Sequence, residues 1–465
     1  MKQYCHTVGL LVAVVATVFL SCGKSKTIGD EFALPTAQPD ESTVFEESET
    51  IRGGLLTVIY SSDEWGEIRS CGCPKKDLGG LGRRATYVAS VKEKTRDLLL
   101  VQAGDLFGRG NEQGRLKAEV AVQALADMNY DAVGLGKRDF AFGKTFLKRI
   151  FEKETLPYVS TNIVYQDSHE HFAPNPYLLK KMPSGTQVLI LSVLSERLSD
   201  SLRSEGLKAL PAADTLRRYV KSLGGKGIFV VVLAYTGREE ATQLARQVPG
   251  IDLIVTGHIG TARKTEEQAW LVGETILVQG QPKGKYVGRI EITLNRDAKT
   301  IQISNETVAM ENTLPEKPEF KKLFAEYREE VKKLMPADVT AGAHAYATSN
   351  KCAGCHVDAV AAWDESEHAK AFSSLEESGQ TYDPECIECH VLGFGEEGGF
   401  VSIDVTPELA NVHCENCHGS AVEHLNDQAV EYGHANSKAC VKCHTPDFSP
   451  DFQYAVYWAK IAHGK

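Results

Sequence analysis

Hydrophobic and polar positions follow a regular pattern between residues 53 and 308, where short apolar runs are separated by stretches with helical spacing. Five runs are continuous, rich in β-branched residues and no longer than a strand: residues 55–60, 97–101, 187–191, 227–233 and 251–255. Such runs are typical of strands that helices bury on both faces. The pattern therefore predicts a layered α/β domain over residues 53–308.

A charged segment after this domain carries a single apolar stripe. Phe320, Phe324, Tyr327 and Val331 recur at the spacing of one helix face. We therefore expect a helical linker over residues 309–339 that docks against the neighbouring domains and does not act as a free spacer.

The first residues have the pattern of an export signal. Lys2 precedes a 14-residue apolar run, residues 7–20, that ends at Ser21-Cys22. A spanning helix needs about 20 apolar residues, which favours a signal peptide over residues 1–21 and disfavours a permanent anchor. Phe19-Leu20-Ser21-Cys22 resembles a bacterial lipobox. This predicts lipidation of Cys22, a flexible tether over residues 22–52, and a lipoprotein of the periplasm or outer membrane.

Cysteine and histidine concentrate near the C-terminus, where residues 340–465 hold eight of the 12 cysteines and ten of the 14 histidines. The same residues include 19 acidic residues, six lysines and no arginine, a net charge of −13. The remainder, at +2, brings the chain to −11. Such a balance does not suit binding to phosphate backbones, so we expect no nucleic acid as a partner.

Four copies of the motif C-x-x-C-H account for these eight cysteines. Two thiols at this spacing can form thioethers with one heme, and the next histidine can bind its iron. Zinc or disulfides are the alternative, but zinc does not need a histidine after every second cysteine. Four covalently bound c-type hemes are predicted, held by Cys352, Cys355 and His356, by Cys386, Cys389 and His390, by Cys414, Cys417 and His418, and by Cys440, Cys443 and His444.

The motifs begin 34, 28 and 26 residues apart, which is too close for each to have its own protein core. The hemes must therefore form the core of a mainly α-helical tetraheme cytochrome c domain over residues 340–465. No methionine occurs in this range, so histidine must also fill the sixth iron positions. Irons with two histidines are saturated, which suits electron transfer. The distal candidates are His344, His368, His413, His424, His434 and His463.

This domain resembles the tetraheme cytochrome c of the hydroxylamine-oxidation pathway and its relatives. The likeness rests on the first motif with the segment Trp363 to His368, the third motif with His424, and the tail ending at His463. It implies that His368, His424 and His434 are distal ligands, with His463 next and His344 and His413 in reserve. Some relatives keep one heme open for chemistry, and that alternative stays open.

Polar residues follow the predicted strands of the N-terminal domain, where α/β folds place their chemistry. Asp63, Asp105, Tyr235 and His258 are among them. Together with the glycine-rich segment at residues 79–86, they resemble the calcineurin-like metallophosphoesterases, in particular the periplasmic 5′-nucleotidase and UDP-sugar hydrolase branch. The resemblance implies a metallophosphoesterase-like fold, and the cytochrome domain stands where this branch carries its nucleotide-binding domain.

Most metal ligands of that family are replaced in this chain. Asp63, Asp105 and His258 remain, whereas Trp65, Tyr235 and Gly260 stand at histidine positions. Lys137 and Arg138 replace an Asn-His pair and remove the surplus negative charge that would attract Mn²⁺ or Zn²⁺, so no second divalent metal is expected. Two interpretations are open: ion pairs of Asp63 and Asp105 with the two cations, or an anion pocket made by those cations.

Cys71 and Cys73 form a C-x-C pair just after the first predicted strand. Two hypotheses are open for this pair. The cysteines are structural, as a strained disulfide or two spare thiols in an oxidising compartment, or they are a redox dithiol that the hemes supply with electrons. Four nearby cations are expected to lower the thiol pKa values: Lys75, Lys76, Arg83 and Arg84.

These observations favour an exported multiheme cytochrome that transfers electrons, with a metallophosphoesterase-like domain that has lost most of its metal ligands. The alternative is an enzyme, either a heme- or dithiol-dependent reductase or a residual phosphoesterase. The expected partners are redox proteins or quinol-linked electron donors, and the membrane through the lipid anchor.

Overall fold

The structure is a computed structural model that describes residues 54–70, 77–153, 155–258, 269–295, 297–335, 345–445, 448–449 and 451–463. The export signal with Cys22, the pair Cys71 and Cys73, and His344 lie outside the described residues. Residues Thr50–Lys465 form one compact unit. Within the described part, no helix is long and apolar enough to cross a membrane.

The strands lie in the first 310 residues. They are β1 (Leu55–Ser61), β2 (Asp97–Gln102), β3 (Ala132–Val133), β4 (Ile163–Tyr165), β5 (Leu178–Lys181), β6 (Gln187–Leu194), β7 (Leu207–Ala209), β8 (Ile228–Tyr235), β9 (Leu253–Thr256), β10 (Trp270–Val272), β11 (Thr275–Gln279), β12 (Tyr286–Leu294) and β13 (Thr300–Ala309). One sheet has the order β13-β12-β1-β2-β3, a second has the order β10-β11-β9-β8-β6-β5, and β4 pairs with β7.

Helices flank these sheets, and all elements described after β13 are helical. They are α1 (Leu81–Lys92), α2 (Glu112–Asp127), α3 (Gly143–Glu152), α4 (Ser199–Leu202), α5 (Ala212–Leu223), α6 (Gly237–Gln247), α7 (Pro318–Lys332), α8 (Ser349–Cys352), α9 (Val357–Asp364), α10 (Ala371–Ser378), α11 (Pro384–His390), α12 (Cys414–His418), α13 (Val422–Asn426), α14 (Ser437–Cys440) and α15 (Tyr454–Trp458). Short 3₁₀ turns connect them, including Arg138–Phe140.

The two large sheets pack against each other through a dry apolar layer. Val58 and Val101 of the first sheet share one buried cluster with Ile190, Val231 and Val255 of the second. The layered α/β prediction is therefore confirmed, and the five apolar runs correspond to β1, β2, β6, β8 and β9. The sequence pattern missed the antiparallel partners β12 and β13, because β13 is mostly half-buried or exposed and shows no continuous apolar run.

Helix α7 forms where the linker pattern predicts a helix. Phe320, Phe324, Tyr327 and Val331 are all buried, and they join the cluster that α1, α2 and α3 build on the outer face of the first sheet. Helix α7 is therefore packed against the first domain, because burial of four apolar side chains on one face stabilises that contact.

The C-terminal part consists of short helices with a small apolar cluster around Phe372, Ile387 and Leu409. Helix α11 of this part contacts polar side chains of α2 and of the loop that precedes α2. Gln113 donates to Asp383 at 2.6 Å, and the Lys117 ammonium lies 2.6 Å from Glu385. These contacts hold the second C-x-x-C-H motif against the N-terminal domain.

Candidate functional site

The carboxyl ends of the central strands bring the predicted polar residues together. Asp63 follows β1, Asp105 follows β2, and His258 follows β9, while Tyr235 closes β8. Asp63 and Asp105 are buried and have φ values of 58° and 59°, a left-handed conformation that costs energy in a residue other than glycine. These two tight turns, after β1 and β2, place both carboxyl groups in the same buried site.

Each of the two carboxyl groups has its own hydrogen-bond partners. Asp63 Oδ2 accepts from Ser62 Oγ at 2.5 Å and from the backbone N–H of His258 at 3.0 Å, and it lies 3.1 Å from His258 Nδ1. Asp105 Oδ2 accepts from the Tyr235 hydroxyl at 2.5 Å, and its Oδ1 accepts from the backbone N–H of Arg138 at 2.6 Å.

A third carboxyl group, Asp139, supports this site and was missed by the sequence reasoning. It is buried and accepts backbone N–H groups of Asp105, Phe107 and Gly136 at 2.8, 3.1 and 2.7 Å. Burial raises the pKa of Asp139 to about 7, despite these hydrogen bonds. Burial and the neighbouring Asp139 also raise the pKa of Asp105 well above its ordinary value. The signal for Asp139 in the sequence was the position of this residue directly after Lys137 and Arg138.

The structure contains one of the expected ion pairs. Arg138 Nε lies 3.7 Å from Asp105 Oδ2, whereas the Lys137 side chain is exposed and has no ion pair with either carboxyl group among the described residues. The Arg138 guanidinium also lies 4.8 Å above the Trp65 ring. Burial raises the pKa values of Asp63 and Asp105, because it penalises the charged form of a carboxyl group.

The residues present do not fit the pair of divalent metals that the metallophosphoesterase resemblance implies. The Tyr235 hydroxyl donates a hydrogen bond to Asp105 Oδ2, which occupies a lone pair that a metal would need, and Trp65 offers no ligand atom. Among the described residues, no group of three or more His, Cys, Asp or Glu side chains has a metal-binding arrangement. Asp63 Oδ1 and His258 Nε2 are buried there without a hydrogen-bond partner.

The two arginines near the C-x-C segment have other roles than the sequence suggested. Arg84 is fully buried and pairs with Glu64 at 2.7 Å, while Arg83 pairs with Asp77. Both guanidinium groups are thus committed to carboxylates. Cys71 and Cys73 themselves lie outside the described residues, so the prediction about their thiol pKa values stays a prediction.

In the C-terminal part, three motif histidines each face one predicted distal histidine. The ring centres of His356 and His424 are 6.4 Å apart. Those of His368 and His444 are 6.1 Å apart, and those of His418 and His463 are 6.0 Å apart.

Hydrogen bonds also orient these rings. Nδ1 lies 2.6 Å from the Gly433 carbonyl in His418, 2.8 Å from the Val430 carbonyl in His424 and 2.8 Å from the Ile461 carbonyl in His463. A proton on Nδ1 that is donated to a carbonyl leaves Nε2 as the free ligand atom, which is the usual arrangement of metal-binding histidines. Burial lowers the pKa of His368 and of His444, which favours the neutral imidazole that binds iron.

Two predicted distal candidates have other surroundings. His434 is 91% exposed and lies 3.8 Å from Glu431. His413 is buried, but its Nδ1 faces the Ser349 backbone N–H at 3.2 Å and its Nε2 lies 2.8 Å from the Ala410 carbonyl. Because both ring nitrogens are engaged, His413 has a structural role.

Comparisons with known proteins agree with the two-part architecture. The family model described as "Cytochrome c554 and c-prime" matches residues 351–419. Cytochrome c-554 of Nitrosomonas europaea is 38% identical over 84 residues, which cover 15% of this chain and 36% of that protein. The snake venom 5′-nucleotidase of Naja atra is 24% identical over 295 residues, covering 57% of this chain and 55% of its own length.

The fold comparison gives the same result for the first domain. A 5′-nucleotidase precursor from Thermus thermophilus superposes with a TM-score of 0.53 at 21% identity, covering 61% of this chain and 60% of that one. The chain joins a 5′-nucleotidase-like metallophosphoesterase domain to a cytochrome c554-type region. It spans about half the length of the nucleotidases that it matches. The predicted resemblances are confirmed, and the cytochrome match implies a heme cofactor.

Proposed function

We propose that this chain is an exported electron-transfer protein with four covalently bound c-type hemes, and that its phosphoesterase-like domain no longer hydrolyses phosphate esters through a metal pair. The observation that carries the proposal is the set of three facing imidazole pairs at 6.0–6.4 Å. Heme supplies reversible one-electron storage when it is bound.

The separation of the imidazole pairs fits an iron between them. Two metal–nitrogen bonds of about 2 Å, and about 1 Å from each nitrogen to its ring centre, give roughly 6 Å between ring centres. Each pair joins the histidine of one motif to a histidine remote in sequence. We assign His424 to the first heme, His463 to the third and His368 to the fourth.

The motif cysteines indicate which hemes would be neighbours. Cys352 and Cys414 lie close enough for each to shift the pKa of the other, so the first and third motifs adjoin. Cys389 and Cys443 are close in the same way, so the second and fourth motifs adjoin. Helices α12 and α14 of the third and fourth motifs also pack against each other. The hemes therefore adjoin in the order first, third, fourth, second, and electrons enter and leave at the first and second.

The second heme favours a second candidate function. His390 Nδ1 lies 2.6 Å from the Ala371 carbonyl, so its Nε2 is available to iron. Among the described residues, no second imidazole ring is paired with that of His390, in contrast to the other three motif histidines. An iron with one histidine can bind and reduce a small ligand, so reductase activity at this heme is the alternative.

The test is a heme and metal count on the full chain, exported from a host that attaches c-type heme, followed by two substitutions. Four hemes and no stoichiometric manganese or zinc are expected. His424→Ala should convert one low-spin heme to high-spin in the electron paramagnetic resonance spectrum, whereas the control His434→Ala should leave the spectrum unchanged. Fewer than four hemes, or equal effects of the two substitutions, would refute the assignment.

The cellular location and partners follow from the same proposal. We infer that Cys22 is lipidated and tethers the chain in the periplasm or outer membrane, where redox proteins or quinol-linked donors supply electrons. Cys22→Ala should release the heme protein from the membrane fraction into the soluble periplasmic fraction. Retention of the variant in the membrane would contradict the anchor.

A further inference from the structure

Tyr432 lies between two of the imidazole rings that are assigned above to iron. Its ring centre is 5.5 Å from that of His418, with an angle of 22° between the ring planes, and 5.5 Å from that of His424, with an angle of 17°. We propose that Tyr432 is a positioning residue that fixes the plane of one ligand of the first heme and one of the third, and thereby couples these two hemes. The inference rests on the proposed function, because it takes His418 and His424 as iron ligands.

Five aromatic rings follow one another here with two kinds of spacing. From His356 through His424, Tyr432 and His418 to His463, consecutive ring centres are 6.4, 5.5, 5.5 and 6.0 Å apart. The two outer pairs have the separation proposed for an iron, and their planes are tilted by 38° and 51°. The two inner contacts are shorter and nearly parallel, as in the offset stacking of aromatic rings. Tyr432 therefore connects the two proposed iron sites through direct ring contacts.

The loop around Tyr432 also holds both imidazoles by hydrogen bonds. His424 Nδ1 lies 2.8 Å from the Val430 carbonyl, and His418 Nδ1 lies 2.6 Å from the Gly433 carbonyl. A Cβ atom at Gly433 would lie 2.4 Å from the His418 carbonyl oxygen, so the backbone can approach this closely only at glycine. One loop therefore orients a ligand of each heme, and the ring of Tyr432 fills the space between them.

The hydroxyl group of Tyr432 fixes its ring in this position. It donates to the Gly419 carbonyl at 2.6 Å, and Gly419 directly follows His418. A carbonyl oxygen accepts this hydrogen bond but does not take up the proton, so the phenol stays neutral. When an electron passes between the two sites, one iron is oxidised and the other is reduced, while Tyr432 keeps its own electrons and its proton.

The stacking has a defined effect on both reduction potentials. An oxidised iron withdraws electron density from its imidazole ligands and leaves them more positive. The face of an aromatic ring is negative and attracts positive charge. Tyr432 therefore stabilises the oxidised state at both sites, and its removal should raise both midpoint potentials.

The test compares Tyr432→Leu and Tyr432→Phe with the unsubstituted chain, each as the heme-loaded full chain. Tyr432→Leu should change the electron paramagnetic resonance g values of two low-spin hemes, because two ligand planes turn, and should raise two midpoint potentials in a spectroelectrochemical titration. Tyr432→Phe should keep the g values, because the ring remains. Tyr454→Leu is the matched control, since Tyr454 stacks on Trp458 and has no ring contact with a motif histidine within the described part of the chain.

Unchanged g values in Tyr432→Leu, a change at one heme only, or an equal change in Tyr454→Leu would overturn the proposal. An equal change in Tyr432→Phe would also overturn it, because the hydroxyl group and not the ring would then be decisive. Gly433→Ala is a second test if Tyr432→Leu does not take up four hemes. Displacement of the Gly433 carbonyl should alter the third heme and, through Tyr432, the first, whereas a change confined to the third would overturn the coupling. Failure of the proposed function is distinguishable, because it would appear in the unsubstituted chain as missing or high-spin hemes.

Discussion

Lys117→Met should loosen the attachment between the two regions of the chain. The Lys117 ammonium lies 2.6 Å from Glu385 Oε2, and the two side chains are 15% and 16% exposed. Burial lowers the pKa of Lys117, but Glu385 and other acidic neighbours raise it more, so the net direction is upward and the lysine stays charged. Methionine fills a similar volume and removes the charge, which leaves Glu385 nearly buried beside Asp383 without its cation.

The magnitude follows from this geometry. Removal of one partner of a buried ion pair costs about 3–5 kcal/mol, and the residual exposure of both side chains places this pair near about 3 kcal/mol. The double variant Lys117→Met, Glu385→Gln should recover about 2 kcal/mol of that loss, because neither charge then remains unpaired. The exposed pair Lys322 and Glu326, 3.8 Å apart on α7, is the matched control, and Lys322→Met should cost less than about 0.5 kcal/mol.

The assay is urea unfolding followed by two signals, far-ultraviolet circular dichroism and heme Soret absorbance. In the unsubstituted chain, we expect the two transitions to coincide, because α2, α7 and α11 share one interface. In Lys117→Met, the Soret transition should move to lower urea and separate from the dichroism transition. An effect no larger than that of Lys322→Met, or a double variant that is less stable than the single one, would refute the reasoning.

Two further predictions concern the first domain. Burial raises the pKa of Asp139 to about 7 and also raises that of Asp105, so the folded chain binds more protons than the unfolded chain. Stability should therefore fall by about 1.4 kcal/mol per pH unit for Asp139 as the pH rises from about 4 to 7, and Asp105 should add to the fall. Asp105→Asn should flatten that slope in thermal unfolding, and an unchanged slope would contradict the assignment. Arg84→Met leaves Glu64 buried without its 2.7 Å partner and should cost about 3–5 kcal/mol in urea unfolding, whereas a loss below about 1 kcal/mol would show that Gln102 alone satisfies Glu64.

The sequence by itself determined whatever depends on residues close together in the chain. The strands β1, β2, β6, β8 and β9 could be read from continuous apolar runs, because a strand buried on both faces has no polar positions to interrupt it. Helix α7 could be read from its apolar stripe. The heme motifs could be read because two thioethers and one iron ligand come from five consecutive residues.

The tertiary structure decided the pairing of groups that are far apart in sequence. Spacing could not bring the ring centre of His463 to 6.0 Å from that of His418 or leave His434 91% exposed, because the path of the folded chain decides both. The proposed assignment of distal ligands therefore rests on the fold.

The same reason explains the former metal site. The family resemblance suggested that Lys137 and Arg138 would both pair with the carboxyl groups. The turn after β3 directs Lys137 to solvent, and it places Arg138 3.7 Å from Asp105 and over the Trp65 ring. Burial raises the pKa values of Asp63 and Asp105, because it penalises the charged form of a carboxyl group. Charge can be counted in a sequence, whereas the distance and burial that decide its effect exist only in the folded chain.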